Sequence, residues 1–294
     1  MSRQLLAHLA LLAANLIYGA NYTIAKEVMP DHIGPCGFIL LRCLGAVVLF
    51  WMAGLFIREK LDRKDYPRLV LCALFGIAIN QLMFFKGLNY TYPINAAVIM
   101  TSTPILVLIM AAFILRERIT AIRSAGIAVG LLGTLLILLA GKEMSFGSKT
   151  FIGDLMIWVN ASSYGVYLVI ITPLMKKYHP VTVIKWMFVL GLIMVLPFGY
   201  VEFGMIEWAT MPPRIIWAVV FVVVCLSFFA YLLNATALRY VSPSVVSTYI
   251  YLQPVLASAF AITLGRDSLD WIKVMSAVLI CAGVYLVSRR PRSA

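Results

Sequence analysis

Ten stretches of almost unbroken apolar sequence run along the chain, at 5–25, 36–57, 68–88, 95–115, 121–140, 152–172, 184–203, 214–238, 244–264 and 271–288, separated by charge clusters or turn residues. Each is close to the roughly 20 residues an α-helix needs to cross a bilayer's hydrocarbon core. With no water there to bond the backbone, a continuous apolar run of that length must be helical, so the pattern predicts ten transmembrane helices. The first run follows a lone Arg3 and begins like a secretory leader. It then continues into Asn15, Tyr18, Asn21 and Tyr22, too long and too polar for one, and is read as helix 1 of the mature protein.

Composition points the same way. Of 294 residues, 63% are hydrophobic and 12% charged, against about 45–50% and 25% in soluble domains. Ten spans consume roughly 200 positions, which leaves no room for a soluble domain. A net charge of +12 would suggest nucleic acid in a soluble protein; here it must sit at membrane surfaces, and nucleic-acid binding is set aside. Cys36, Cys43, Cys72, Cys225 and Cys281 all lie in or beside apolar runs without metal-ligand spacing, as small free core residues do.

Basic residues fix the orientation. With ten spans, sixteen Lys and Arg fall on the side of both termini, seven on the other, and Arg42 within helix 2. The positive-inside rule then places both termini in the cytoplasm of a cell (inner or plasma) membrane protein.

Sliding the chain by 150 residues aligns Leu88 with Leu238, Tyr90 with Tyr240, Pro93 with Pro243, Pro104 with Pro254, Arg116 with Arg266, Glu117 with Asp267 and Gly133 with Gly283, without a gap. A weaker match pairs Tyr18 and Gly19 with Tyr164 and Gly165. Helices 1 to 5 therefore repeat as helices 6 to 10, residues 1–145 forming one unit and 146–294 the other. Five is odd, so the second copy enters from the opposite side. The expected fold is all-α, with ten transmembrane helices in two inverted five-helix repeats.

Polar side chains recur at helical spacing within the apolar runs. His8, Asn15, Tyr18 and Tyr22 form one stripe of helix 1; Asn160, Tyr164 and Tyr167 one of helix 6; Ser227, Tyr231 and Asn234 one of helix 8. Helix 3 adds Asn80, Gln81 and Phe84, and helix 9 adds Tyr249 and Gln253. Hydrocarbon penalises such groups, so they face inward. They either line one central cavity of aromatic walls and neutral hydrogen-bonding groups, or tie helices together in pairs. Pro104 and Pro254 fall mid-span, freeing the carbonyls of Met100 and Ile250 and bending helices 4 and 9; paired breaks of this kind mark binding sites and moving parts.

Arg42 is the one full charge well inside a span, able to hold a carboxylate or phosphate, or else to snorkel or bond helix carbonyls. Arg116 with Glu117 and Arg266 with Asp267 read as ion pairs, and Thr120 and Asp270 as N-caps of helices 5 and 10. Gly126, Gly130 and Gly133 give helix 5 a close-packing face, either within a scaffold or for a homodimer through helices 5 and 10. No acid lies mid-span, so proton coupling has no support. Nucleotide-binding and hydrolase motifs are absent, and His8, His32 and His179 are scattered, so no enzyme, cofactor or metal site is expected.

The Tyr18-Gly19-Ala20-Asn21 run with Lys26, Arg42 in helix 2, the Pro104 helix leading to Arg116, Glu117 and Gly126, and the second copy ending at Pro254, Arg266 and Asp267 together resemble the drug/metabolite transporter superfamily. Within it the chain looks like an EamA-type permease, over nearly its whole length. The resemblance implies ten helices in two inverted repeats, a central cavity from helices 1, 3, 4, 6, 8 and 9, and export of amino acids, related metabolites or drugs. Tyr18, Asn80, Phe84 and Tyr164 match its cavity positions. Many relatives carry Trp at Tyr18 and Glu at Asp267, so the substrate does not transfer. The expectation is a secondary transporter working by alternating access on a small-molecule substrate in the lipid bilayer, with a flippase or scramblase of a lipid-linked intermediate as the alternative.

Overall fold

The computed structural model describes residues 2–29, 31–91, 93–139, 150–263 and 270–288. Every regular element among them is helical. Helix α1 (Arg3–Val28) leads to α2 (Pro35–Gly54); α3 (Tyr66–Ala73) passes through a π-helical segment, Leu74–Ala78, into α4 (Ile79–Tyr90). Helices α5 (Pro93–Met100) and α6 (Thr103–Leu115) are parted at Thr101 and Ser102, and α7 (Ala121–Leu139) follows. Then come α8 (Phe151–Lys177), α9 (Pro180–Gly204), and α10 (Pro213–Phe221) running through a second π-helical segment, Val222–Ala230, into α11 (Tyr231–Ala237). Finally α12 (Pro243–Thr248) meets a 3₁₀ turn, Tyr249–Tyr251, before α13 (Leu252–Thr263), and α14 (Trp271–Ser288) closes the described chain.

Helix thus covers each of the ten apolar stretches. Seven helices among the described residues are long and apolar enough to cross a membrane: Pro35–Gly54, Arg63–Leu88, Ala96–Leu115, Phe151–Lys177, Pro180–Gly204, Pro213–Ala237 and Trp271–Ser288. The outside of the bundle is greasy: Phe56, Phe113, Leu132, Trp217, Val278 and Tyr285 are exposed, while Asn15, Arg42, Gln81, Asn160 and Ser227 are buried. That inversion of the soluble pattern suits lipid as the solvent.

Proline opens α2, α9, α10 and α12 at their first turn, where its missing N–H removes nothing. Arg116 ends α6 in the left-handed region at φ 55°, and Glu117 N bonds back to the Ala111 carbonyl. Glu117 pairs with Arg123 at 3.1 Å, not with Arg116, because the reversal at Arg116 aims the carboxylate at the first turn of α7. Asp270 caps α14 by accepting from Lys273 N at 2.9 Å and holds Lys273 Nζ at 2.7 Å. Those bonds keep the Asp270 carboxyl below the usual carboxylate range. Among the described residues the hydroxyl of Thr120 has no hydrogen-bond partner and caps nothing. Arg266 and Asp267 lie outside the described residues. Of the cysteines, Cys36, Cys43 and Cys72 are buried, but Cys281 is exposed on α14 and faces the surroundings of the bundle.

Two helix pairs form the tightest seams, α2 with α9 and α7 with α14. In lipid such seams rest on close backbone approach, and glycine supplies it in both. A Cβ on Gly283 would stand 2.6 Å from Gly130 N and 2.7 Å from Gly126 O. One on Gly133 would meet Leu279 and the Ser276 carbonyl at 2.8 and 2.9 Å. The small-residue face of α7 is therefore occupied by α14 of the same chain. Across the other seam Gly37 sits against the Glu202 and Phe203 backbone, while Phe50 stacks on Phe188 at 5.6 Å and Trp51 meets Trp186 edge-on.

The ends of the bundle are tied by charge. Lys177 binds Asp65 at 2.6 Å and Asp62 at 3.5 Å, Tyr178 OH donates to Asp65 and accepts from Asp62 N, and Glu59 accepts from His179 N, so the α2–α3 connection is laced to the α8–α9 turn. At the other end Arg214 at the start of α10 pairs with Glu27 near the end of α1, and Glu202 caps α2 by accepting from Gly37 N.

Gly283→Ala places its methyl against backbone, and we expect it to destabilise the protein by about 1–3 kcal/mol, read as a lowered Tm in detergent. Gly204→Ala, which meets nothing within 4 Å, should leave Tm unchanged. Equal effects of the two would show that the α7–α14 seam does not need glycine.

Candidate functional site

The polar stripe of α1 is bonded along its length. His8 Nδ1 lies 2.8 Å from Tyr249 OH; Asn15 Oδ1 accepts from Gln253 Nε2 at 3.1 Å; Tyr18 OH accepts from Asn234 Nδ2 at 3.1 Å. The spacings of seven and three residues that align these groups on one face thereby join α1 to the 3₁₀ turn, α13 and α11. The side chain of Tyr22 lies outside the described residues.

A second polar seam joins α4 to α8. Asn160 Nδ2 donates to the Asn80 carbonyl at 2.6 Å, and Asn80 Nδ2 reaches the Asn160 carbonyl at 3.5 Å. The π-helical segment between α3 and α4 is served from the same side. Ser163 Oγ donates to the Phe75 carbonyl at 2.5 Å, and Tyr231 OH points to the Gly76 carbonyl at 3.4 Å while lying 3.5 Å from Gln81 Nε2. Gly76 is glycine because the Tyr167 ring lies where its Cβ would be.

Between the two seams sits Arg42, only 6% exposed. Its Nε donates to Ser227 Oγ at 3.1 Å, and Ser227 Oγ in turn donates to the Val222 carbonyl at 3.2 Å, inside the second π-helical segment. The guanidinium carbon lies 5.6 Å from the centroid of Phe85, which Phe84 meets edge-on at 5.3 Å. Arg42 therefore does not snorkel. Tyr18 and Tyr231 are close enough to interact electrostatically with it, and Tyr164 with both of them. Tyr164 also leans on Tyr167 at 5.9 Å, and Phe188 meets Tyr231 edge-on at 5.0 Å. Of the expected residues, one neighbourhood thus brings together Tyr18, Arg42, Gln81, Tyr164, Tyr167, Tyr231 and Asn234. Asn80 and Asn160 border it, and Asn15, Tyr249 and Gln253 form a separate group nearer the start of α1.

Both prolines sit just beyond a helix break. Pro104 is the second residue of α6, after the turn at Thr101 and Ser102, whose N–H groups bond three residues back to Val98 and Ile99. Pro254 follows the 3₁₀ turn Tyr249–Tyr251. The breaks touch each other, since Tyr251 OH donates to the Thr101 carbonyl at 3.2 Å, both groups buried. Gly130 of α7 makes room for the Tyr251 ring, 2.6 Å from where a Cβ would stand. Tyr251, Ser163, Phe85 and Phe188 were not among the expected site residues. Ser163 adjoins the Asn160 and Tyr164 stripe, and Tyr251 stands 150 residues after Thr101, but neither fact names a partner.

A multi-pass helical bundle that keeps hydrogen-bonding and aromatic side chains inside, and breaks its helices beside them, has the construction of a membrane transporter. The sequence profile of the EamA-like transporter family matches residues 5–139 and again residues 151–289. The chain belongs to that family, whose members are transporters of the drug/metabolite superfamily, not enzymes. It is 26% identical over 287 residues to an uncharacterized transporter of Archaeoglobus fulgidus, covering 96% of this chain and 97% of that one. It is 24% identical over 286 residues to the uncharacterized transporter YyaM of Bacillus subtilis, covering 96% of this chain and 93% of that one. One solved crystal structure shares the fold at a TM-score of 0.78, with 19% identity and 95% of both chains covered.

Tyr251→Phe keeps the ring and removes the bond to Thr101. Interhelical bonds of this kind contribute about 0.6 kcal/mol on average and up to about 1.7, so a modest fall in Tm is expected. No change in Tm would mean that the two breaks are not tied through this hydroxyl.

Proposed function

We propose that the protein is a secondary transporter that exports small metabolites, such as amino acids or amphipathic compounds, by alternating access. The observation that carries this reading is the coincidence of helix breaks, π-helical segments and buried polar side chains around Arg42, Tyr18, Tyr164 and Tyr231. In this reading the chain crosses the membrane ten times with both termini in the cytoplasm, and residues 1–145 and 146–294 are inverted copies.

Several features support the repeat. The family profile matches twice. The π-helical segments Leu74–Ala78 and Val222–Ala230 overlap at an offset of 150, and so do the breaks at Thr101 and Tyr249–Tyr251. The two tight seams, helix 2 on 7 and helix 5 on 10, each pair an element with its own counterpart in the other half. Each seam would act as a rigid arm, while the halves of helices 4 and 9 bend about Pro104 and Pro254. A homodimer through helices 5 and 10 would use their outer faces, at Leu132 and Val278, because the glycines face inward.

Substrate would contact Tyr18, Phe84, Tyr164, Tyr167 and Tyr231 by stacking, and Asn80, Gln81, Asn160 and Asn234 by hydrogen bonds. Asn15, Tyr249 and Gln253 would line its route.

Counterflow into proteoliposomes of labelled aromatic and aliphatic amino acids, a nucleoside and a sugar phosphate tests the reading, with accumulation of at least one compound expected. Tyr164→Ala should lower that accumulation at least about tenfold, as loss of a substrate anchor does, with an unchanged elution volume and Tm. No accumulation of any compound by folded protein, together with lipid scrambling in the same vesicles, would replace the carrier reading with the lipid one.

A further inference from the structure

Among the described residues Arg42 is a buried cation without a counter-ion. Among the described residues no carboxylate pairs with it, since the ion pairs there join Arg123, Lys177, Arg214 and Lys273 to their acids, all away from Arg42. Its one hydrogen bond among them leaves from Nε to Ser227, and the two terminal NH₂ groups of the guanidinium make none. A guanidinium offers five N–H donors and is never neutral in a protein. Its other neighbours among the described residues, Phe85, Tyr18, Tyr231 and Cys43, supply ring faces, hydroxyls and a thiol but no negative charge. Gln81 Oε1 and Asn160 Oδ1 are buried acceptors without a donor, and as neutral amide oxygens they cannot offset the charge.

Resting on the carrier reading, we infer that Arg42 is the anchor for the carboxylate of an organic monoanion, and that the site ranks ligands by charge: monoanion above zwitterion above cation. The step is one of charge balance. A carboxylate on the free side of the guanidinium completes a two-point bond and brings the neighbourhood to zero net charge. A zwitterion makes the same bond but leaves its ammonium near a cation, with only amide and hydroxyl oxygens to receive it. A cation brings two like charges into a space from which water is excluded, where their repulsion is strongest. The aromatic walls pull the other way, because Tyr and Phe faces attract ammonium groups. That attraction is weaker than the interaction of full charges at low dielectric, so the guanidinium decides the order and the rings select for an aromatic or apolar body.

Three probes sharing a phenylalkyl skeleton test the order: 3-phenylpropionate, phenylalanine and 2-phenylethylamine, each titrated at neutral pH against the purified full-length protein by calorimetry. We expect 3-phenylpropionate to bind about tenfold more tightly than 2-phenylethylamine, with phenylalanine between them, as one added charge-assisted bond would give. Arg42→Gln should weaken 3-phenylpropionate by at least about tenfold and abolish the ranking, because the carboxylate loses its charged partner. Arg42→Lys keeps the charge but not the planar fork; it should weaken binding and preserve the order. Should Arg42→Gln fail to fold, Arg42→Lys decides alone, and unaltered affinity in it overturns the anchor.

Equal affinities for the three probes in the wild type, or a ranking that survives in Arg42→Gln, overturns the inference even if counterflow succeeds. Conversely, ranked binding that depends on Arg42 with no counterflow of any compound sustains the anion anchor and removes the carrier. Arg42-dependent binding of phosphatidylglycerol, with none of 3-phenylpropionate, overturns the small-carboxylate assignment in favour of a lipid phosphate.

Discussion

A backbone carbonyl that leaves the α-helical pattern inside a bilayer has no water to turn to. Much of this protein's polar interior follows from that constraint. Among the described residues the chain departs from α-helix within its spans at four places, Leu74–Ala78, Thr101 with Ser102, Val222–Ala230 and Tyr249–Tyr251. At three of them a side chain reaches a carbonyl: Ser163 and Tyr231 at Phe75 and Gly76, Tyr251 at Thr101, Ser227 at Val222. The caps come mostly from another helix, so each irregularity becomes a joint between helices. Because the irregular backbone and its caps must stay together, polar groups gather around the breaks, and in the proposed carrier that is where a polar guest would find partners.

The rigid parts obey a different rule. Lipid is as apolar as leucine, so α2 and α9, or α7 and α14, gain nothing from burying oil away from water and depend on close contact. Glycine at 37, 126, 130, 133 and 283 lets backbones approach within reach of one another. Glycine sets the close approach in these seams, whereas hydrogen bonds hold the breaks. Gly130 belongs to both systems, touching Gly283 on one side and receiving the Tyr251 ring on the other. Bending at the breaks would therefore be felt at the α7–α14 seam.

The helices and the polar stripes were legible in the sequence because hydrocarbon enforces both: apolar runs of span length have one solution, and Asn, Gln or Tyr inside them must turn inward. Asn15, Tyr18, Asn160, Tyr231 and Asn234 could be chosen on that ground alone. The π-helical segments could not. Leu74-Phe75-Gly76-Ile77-Ala78 is an ordinary helical sequence apart from its glycine, and its opening depends on Ser163, Tyr167 and Tyr231 arriving from elsewhere. The same holds for Tyr251, whose partner is a backbone atom and so has no residue type to signal it. Arg116 and Glu117 misled for a local reason, since the left-handed conformation of Arg116 itself turns the two adjacent charges apart. The glycine face of α7 was legible as a packing surface, but its partner could not be read from α7 alone.

Arg42 was visible as a charge, and its surroundings give that charge its meaning. A buried cation left unpaired is expensive, and a chain free to place a carboxylate opposite it could have made a neutral pair. Among the described residues it places Ser227, a phenylalanine face and two tyrosines there instead. Those groups hold the guanidinium in position by its Nε and its ring contact while leaving its charge unanswered. A resident carboxylate would compete with any anionic guest; its absence among these neighbours keeps the guanidinium available. With Arg42 as the proposed anchor, the stability forgone there would reappear as affinity for an anion, so one residue would link the energetics of the fold to the selectivity of the site.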